Sequence, residues 1–249
     1  MREEPFHLAR APIVEAVVDF DCDLPAGFNL LGLEEVAGQR FQDGYPKRSQ
    51  QWLNEVQVEQ GPQGSAQTHR RQVVALRFHS TDEKQLVQAR VQGFSFNRLA
   101  PYGSLDTYLP AIQSAWKTFV EVAQPLQVRV VKLRYVNRIE IPAIRIVLSE
   151  YFKLAANDLW GDEITIARFL SQYSGIDNAT RHELRVTLSD APEPGEKSIV
   201  ILDIEVAATV NLDPSGWDEI VSVIGSLRAL KNKLFKESLT SKCLQLFQD

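Results

Sequence analysis

Residues 128–142 read VRVVKLRYVNRIEIP. Val131, Leu133, Tyr135, Ile139 and Ile141 fall on alternate positions, and Lys132, Arg134, Arg138 and Glu140 stand between them. A period of two is the repeat of a β-strand, whose successive side chains point to opposite faces. A strand of this kind needs one face packed against apolar protein, while its other face carries a row of charge. The chain must therefore supply further strands to extend the sheet and helices to cover its apolar side.

Both are legible. APIVEAVVDFDCDLP alternates in the same way, with Ala16, Val18, Phe20 and Cys22 on one side and Glu15, Val17, Asp19, Asp21 and Asp23 on the other. GLEEVAGQRFQDGYP spaces Leu33, Val36, Ala37, Arg40 and Phe41 as a short helix that stops at Asp43-Gly44. QWLNEVQVEQ, QVVALRFHS and KQLVQARVQ read as three strands. The first two are separated by the polar loop GPQGSAQTHRR, expected to be mobile, and the last two by a tight turn at Thr81-Asp82-Glu83. GFSFNRLAPYGS then leads into a helix with the stripe Leu109, Ile112, Trp116, Phe119 and Ala123. Pro110 either opens this helix or kinks it, and Pro125 closes it.

After the strand at 128–142, a helix is expected around LSEYFKLA. Strands follow in ITIARFLSQYS, ATRHELRVTLSD and SIVILDIEVAATVN, the last two flanking the turn APEPGEK. Asp213-Pro214-Ser215 starts a helix with the buried stripe Trp217, Ile220, Ile224, Leu227, Leu230 and Leu234, and SKCLQLF closes the chain as a short helix. The order β-α-β-β-β-α thus occurs twice, in halves of about 1–124 and 125–249. It predicts an α+β protein: one or two antiparallel sheets, helices on one face, and a single structural unit over residues 1–249.

Composition narrows the classes. The formal net charge of −5 argues against a dedicated nucleic-acid binder, without excluding a local basic groove. The two cysteines, Cys22 and Cys243, are too few for a disulfide framework and form no zinc pattern, so both are expected as packed thiols in a reducing compartment. No apolar run resembles a signal peptide or membrane span, which makes a cytoplasmic protein the expectation. Phosphate-loop, dinucleotide, nucleophile-elbow and zinc-protease motifs are absent. His7, His69, His79 and His182 are scattered. Trp160, in NDLWGDE, reads as a loop residue that is either packed or part of an interface.

The charge row has two readings. If the two leading strands, 14–24 and 128–142, lie side by side, acids on one oppose cations on the other and the face is neutral. Alternatively, Arg77, His79 and Arg90 join Lys132, Arg134 and Arg138 on one face, and such crowding calls for an anion between them. Guanidinium forks suit phosphate or carboxylate. Under this second reading Asp19 and Asp21 supply a weak Mg²⁺ site; otherwise no cofactor is implied.

ARAPIVEAVVDF, GFSFNRLAPYGSLDTY, VKLRYVNRIEIP with the following EYF, and SLRALKNKLFKESLTSKCLQLF together resemble a group of sporadically distributed bacterial proteins of similar length and unknown function. Leu105 departs from the pattern, which has tryptophan there. The resemblance implies no activity; its patchy distribution implies accessory or mobile-element biology, such as defence against phage. Its signature residues are Phe96, Asn97, Arg98, Tyr102, Arg134, Asn137 and Arg138. They read either as polar ties around a turn or, for Asn97, Arg98, Arg134, Asn137 and Arg138, as one groove. The leading expectation is a non-enzymatic binding or scaffold protein, dimeric or holding a protein partner through a sheet face or the last long helix. The alternatives are a metal-dependent phosphate- or nucleotide-handling enzyme on the charged face, with Arg77, Arg90, Arg98, Lys132, Arg134, Asn137 and Arg138 as anion ligands, and a local nucleic-acid groove.

Overall fold

Among the described residues the alternating stretches build nine strands in one antiparallel sheet. The computed structural model describes residues 8–61, 64–154, 168–191 and 195–248, excluding the side chains of 57–61 and 64–69. Trp160, and the first part of the strand expected from Ile164, lie outside the described residues. Along the chain run β1 (Ile13–Asp23), α1 (Glu34–Phe41), β2 (Lys47–Gly61), β3 (Gly64–His79), β4 (Gln85–Arg90), β5 (Gly93–Leu99) and α2 (Leu105–Ala123). Then follow β6 (Gln127–Ile141), β7 (Leu170–Ile176), β8 (Glu183–Asp190), β9 (Ser198–Leu212), α3 (Trp217–Ser238) and α4 (Ser241–Gln245).

The sheet order is β2-β3-β4-β5-β1-β6-β9-β8-β7. The two charged strands are therefore central neighbours, antiparallel, with Asp19 opposite Lys132 and Val17 opposite Arg134. Strands from both parts of the chain share this one sheet. The doubled β-α-β-β-β-α order is not reproduced, because β5 adds a strand between β4 and α2, and a 3-10 turn at Leu148–Glu150 replaces the expected helix. Only two residues, Val91 and Gln92, separate β4 from β5. Gly93 makes that turn possible: its φ is +141°, and a Cβ there would run into the carbonyl oxygen of Phe20. Much of the expected polar loop at 61–71 is strand, since β2 and β3 stay paired from Lys47–His79 out to Gly61–Gly64.

One face of the sheet is apolar and carries the helices. Phe20, Phe94, Leu133, Tyr135, Leu202 and Ile204 point to it and are buried. From α2, Trp116 meets Phe20 edge-on at 4.8 Å and Phe94 at 5.5 Å, and Phe41 of α1 lies 4.9 Å from Phe78 of β3. Each such ring contributes about 1.5–3 kcal/mol by burial, and each pair about 0.5–1.5 kcal/mol more. Ile220, Ile224 and Leu227 of α3 are equally buried.

Local chemistry sets the helix ends. Ser104 caps α2 by accepting from the Asp106 N–H at 3.2 Å. Pro110 sits within α2, beyond its first turn, and Gln124 ends the helix in a left-handed conformation just before Pro125. The helix α3 starts at Trp217 with Gly216 as its N-cap; Asp213 instead accepts from the Ser215 N–H at 2.7 Å in the preceding turn. Cys22 and Cys243 are free thiols, each pushed up to about 12 by burial. No described helix is long and apolar enough to cross a membrane.

Candidate functional site

The second face of the sheet carries the charge row. Arg77, His79, Arg90, Lys132, Arg134 and Arg138 all share it, as the strand register requires. Arg90 reaches Asp21 at 3.0 Å, Asp19 at 3.6 Å and the Phe94 carbonyl at 3.1 Å. Lys132 is bonded to the other oxygen of Asp21, and the Ser95 hydroxyl donates to Asp19. Arg134 turns to the neighbouring strand and forks onto Asp203, donating from Nε at 3.0 Å and Nη2 at 2.6 Å. This hydrogen bond holds the Arg134 guanidinium above its usual range. Arg138 pairs with Glu140, which also accepts from Lys197 at 2.9 Å. His79 lies 3.3 Å from the Ser49 hydroxyl.

A row of side-chain hydrogen bonds crosses the same face. Arg77 donates to Gln51 at 2.7 Å and Gln88 at 3.1 Å, Gln88 to Asn97 at 3.0 Å, and Asn97 to Glu15 at 2.6 Å. Like charges that crowd together need anions among them, and here the chain supplies its own in Asp19, Asp21, Asp203 and Glu140. Asp19 and Asp21 face Arg90 and Lys132, so a divalent cation placed between them would meet two protein cations first. Among the described residues no group of three or more His, Cys, Asp or Glu side chains is placed to hold a metal ion.

Two of the expected anion ligands lie on the opposite face. Arg98 is level with Ala16 and Tyr135 across β5, β1 and β6, all three on the helix side. Asn137 has the parity of Tyr135 and Ile139 and is 1% exposed; its amide donates to the carbonyls of Leu202 at 2.9 Å and Tyr135 at 3.3 Å. The single groove of Asn97, Arg98, Arg134, Asn137 and Arg138 is thus divided between two faces, because alternate residues of a strand point apart.

On the helix side Arg98 begins a second, different cluster. Its guanidinium lies 5.0 Å from the ring of Tyr108, while its Nε is buried without a hydrogen-bond partner. Tyr108 accepts the Gly103 N–H and packs 5.5 Å from Tyr102. The Tyr102 and Tyr135 hydroxyls are 3.3 Å apart, and burial pushes both phenols up. From α3, Arg228 donates to Asp106 at 2.7 Å in the first turn of α2; this bond raises the guanidinium and lowers the carboxyl.

Lys231 lies one turn further along α3. It is 9% exposed, and its Nζ sits 4.1 Å from the centre of the Tyr135 ring. Among the described residues it has no hydrogen bond and no carboxylate partner; the ring and the nearby Arg228 charge are what it meets. Burial, then Arg228, brings the ammonium down to about 7. A face-on ring gives back about 2 kcal/mol at a desolvated site, less than the several kcal/mol that burying an ammonium costs. The sequence carried one signal for this residue: Lys231 stands four positions after Leu227 and four before Phe235, on the buried stripe of α3. Arg228, Tyr108 and the role of Tyr135 needed the fold. Lys231, Arg228 and the Tyr102 and Tyr135 hydroxyls are all able to donate to an oxyanion. No protein-family model, curated protein or solved structure matches the chain.

Proposed function

We propose that this is a non-enzymatic binding protein and that it holds a small oxyanion, of the phosphate or carboxylate class, against Lys231. One observation carries the reading: a lysine on the buried stripe of α3 whose ammonium has an aromatic ring and a second cation around it and, among the described residues, no carboxylate. Sequences break the rules of a packed core mainly where function requires it. A bound anion would supply the missing counter-charge. The first turn of α2, capped by Ser104, adds partial positive charge at its N–H end. Three of the four stretches that carry the resemblance meet here: Arg98 and Tyr102 from the second, Tyr135 from the third, Arg228 and Lys231 from the last. An accessory role in bacteria, as the resemblance implies, is compatible with such a sensor-like binder. The bare sheet face lacks comparable support as an enzyme site, because its cations already have protein partners.

The test is thermal unfolding in the presence of inorganic phosphate, nucleotides, polyphosphate and simple carboxylates, with and without Mg²⁺. The reading predicts metal-independent stabilisation by at least one of these anions, lost in Lys231→Met and kept in Arg134→Ala. Stabilisation that needs Mg²⁺ and vanishes in Arg134→Ala would transfer the function to the bare face. No shift with any anion would remove the proposal.

A further inference from the structure

The two edges of the sheet are protected to different degrees. At one edge β2 carries Lys47, Arg48 and Glu55 and has a register shift at Gln51/Trp52. Charges and bulges are the usual means by which an edge strand avoids pairing with another chain. At the other edge β7 reads LSQYSGI, without a charged residue. Leu170 is 69% exposed, Tyr173 46% and Ile176 50%, and among the described residues no strand pairs with the outer side of β7.

The pattern on β7 is self-complementary. Leu170 and Ile176 are equally distant from Tyr173, so an antiparallel pairing centred on Tyr173 sets each Leu170 against the Ile176 of a second copy. The same operation sets Gln172 against Ser174. The flanks match in charge. Before the strand, Arg168 has a 74% exposed side chain and only a 3.8 Å contact with Asp190. After it come Asp177 and, across from Ile176 on β8, Glu183. The two-fold operation brings Arg168 of one copy towards Asp177 and Glu183 of the other. At that end lies an open hollow of about 420 Å³, lined by Ser174, Ile176, Glu183, Leu184 and Arg185 among others. Arg185 is engaged with Glu205 at 2.9 Å, whereas Glu183 has no ion-pair partner among the described residues. The hollow therefore presents an apolar wall and a spare carboxylate, which suit the Leu170 and Arg168 of a second copy.

We propose that two copies of this chain join β7 to β7 about a two-fold axis at Tyr173, continuing the two sheets into one. The interface is isologous: the same patch faces itself, and the same strand supplies both sides. The inference stands apart from the anion site, since β7 is at the sheet edge and Lys231 packs over β6.

Light scattering on the full chain, from micromolar to millimolar concentration, reads the mass directly. The expected result is a dimer. Ser174→Pro, which removes an edge N–H, should give a monomer with unchanged circular dichroism. Arg168→Glu should weaken the dimer, and adding Glu183→Arg should restore it, a rescue that damage to folding would not produce. Should Ser174→Pro fail to fold, Tyr173→Cys decides instead: mild oxidation should link the two copies covalently through the axis. A monomer throughout the range, or a dimer that ignores all of these substitutions, overturns the proposal.

Discussion

Two lysines lie on opposite sides of β6. Lys132 points to the bare face of the sheet and meets Asp21; Lys231, from α3, points into the covered face and meets the ring of Tyr135. The first is an ordinary product of strand pairing. Arg90, Lys132, Arg134 and Arg138 each meet a carboxylate of the chain, so this part of the row is balanced without any guest. The second has no such explanation. The side chain is largely buried, no carboxylate among the described residues compensates, and a second cation is close by. The number of charges in a region therefore says less about function than how many of them the chain leaves unanswered.

Substitution should separate the two sides by sign. The largest effect is expected at Lys231. An unfolded lysine titrates near ~10.4, whereas this one titrates near 7 when folded. Between those values the unfolded chain binds the proton and the folded chain does not, so stability rises with pH through that window. Below it both states are charged and the full burial penalty remains. Lys231→Met should therefore raise unfolding free energy by about 1–4 kcal/mol at low pH, the range seen when buried ionic groups become apolar. The gain should shrink as pH rises and disappear above the upper value. Urea unfolding across the pH series checks both the sign and the window.

A smaller effect of opposite sign is expected on the bare face. Asp21→Asn leaves the ammonium of Lys132 and the guanidinium of Arg90, both partly buried, without their shared carboxylate. Unfolding free energy should fall by about 1–3 kcal/mol, less in high salt because part of the loss is screened. A loss at Lys231→Met comparable to the loss at Asp21→Asn would make the two lysines equivalent and erase the contrast.

The contrast was only half legible in the sequence. Period-two alternation at 14–24 and 128–142 gave both faces of the central strands, and the stripe of α3 gave its buried side. The strand β5 was missed although Phe94 and Phe96 alternate with Ser95 and Asn97. Its turn, Val91-Gln92, has none of the Asn-Gly or Asp-Gly chemistry that marks a hairpin, so GFSFNRL reads as the lead-in to α2. Asp203 could not be foreseen as the partner of Arg134, because strand order decides that β9 and not β1 supplies it. Arg98 and Asn137 were drawn towards the bare face by resemblance, although their parity with Phe96 and Tyr135 already pointed inwards. Lys231 interrupted an apolar stripe in plain view, but that its ammonium meets the Tyr135 ring, with no carboxylate beside it among the described residues, depends on β6 lying under α3, a long-range property.

The most direct measurement is an NMR titration of the Lys231 side chain, followed through its ¹³Cε resonance in the intact protein and assigned with Lys231→Met. The account predicts a midpoint near 7 in the free protein and a rise when an anion binds. A midpoint at the ordinary lysine value would mean that water or a carboxylate already reaches the ammonium, and the argument for a ligand at this position would be lost.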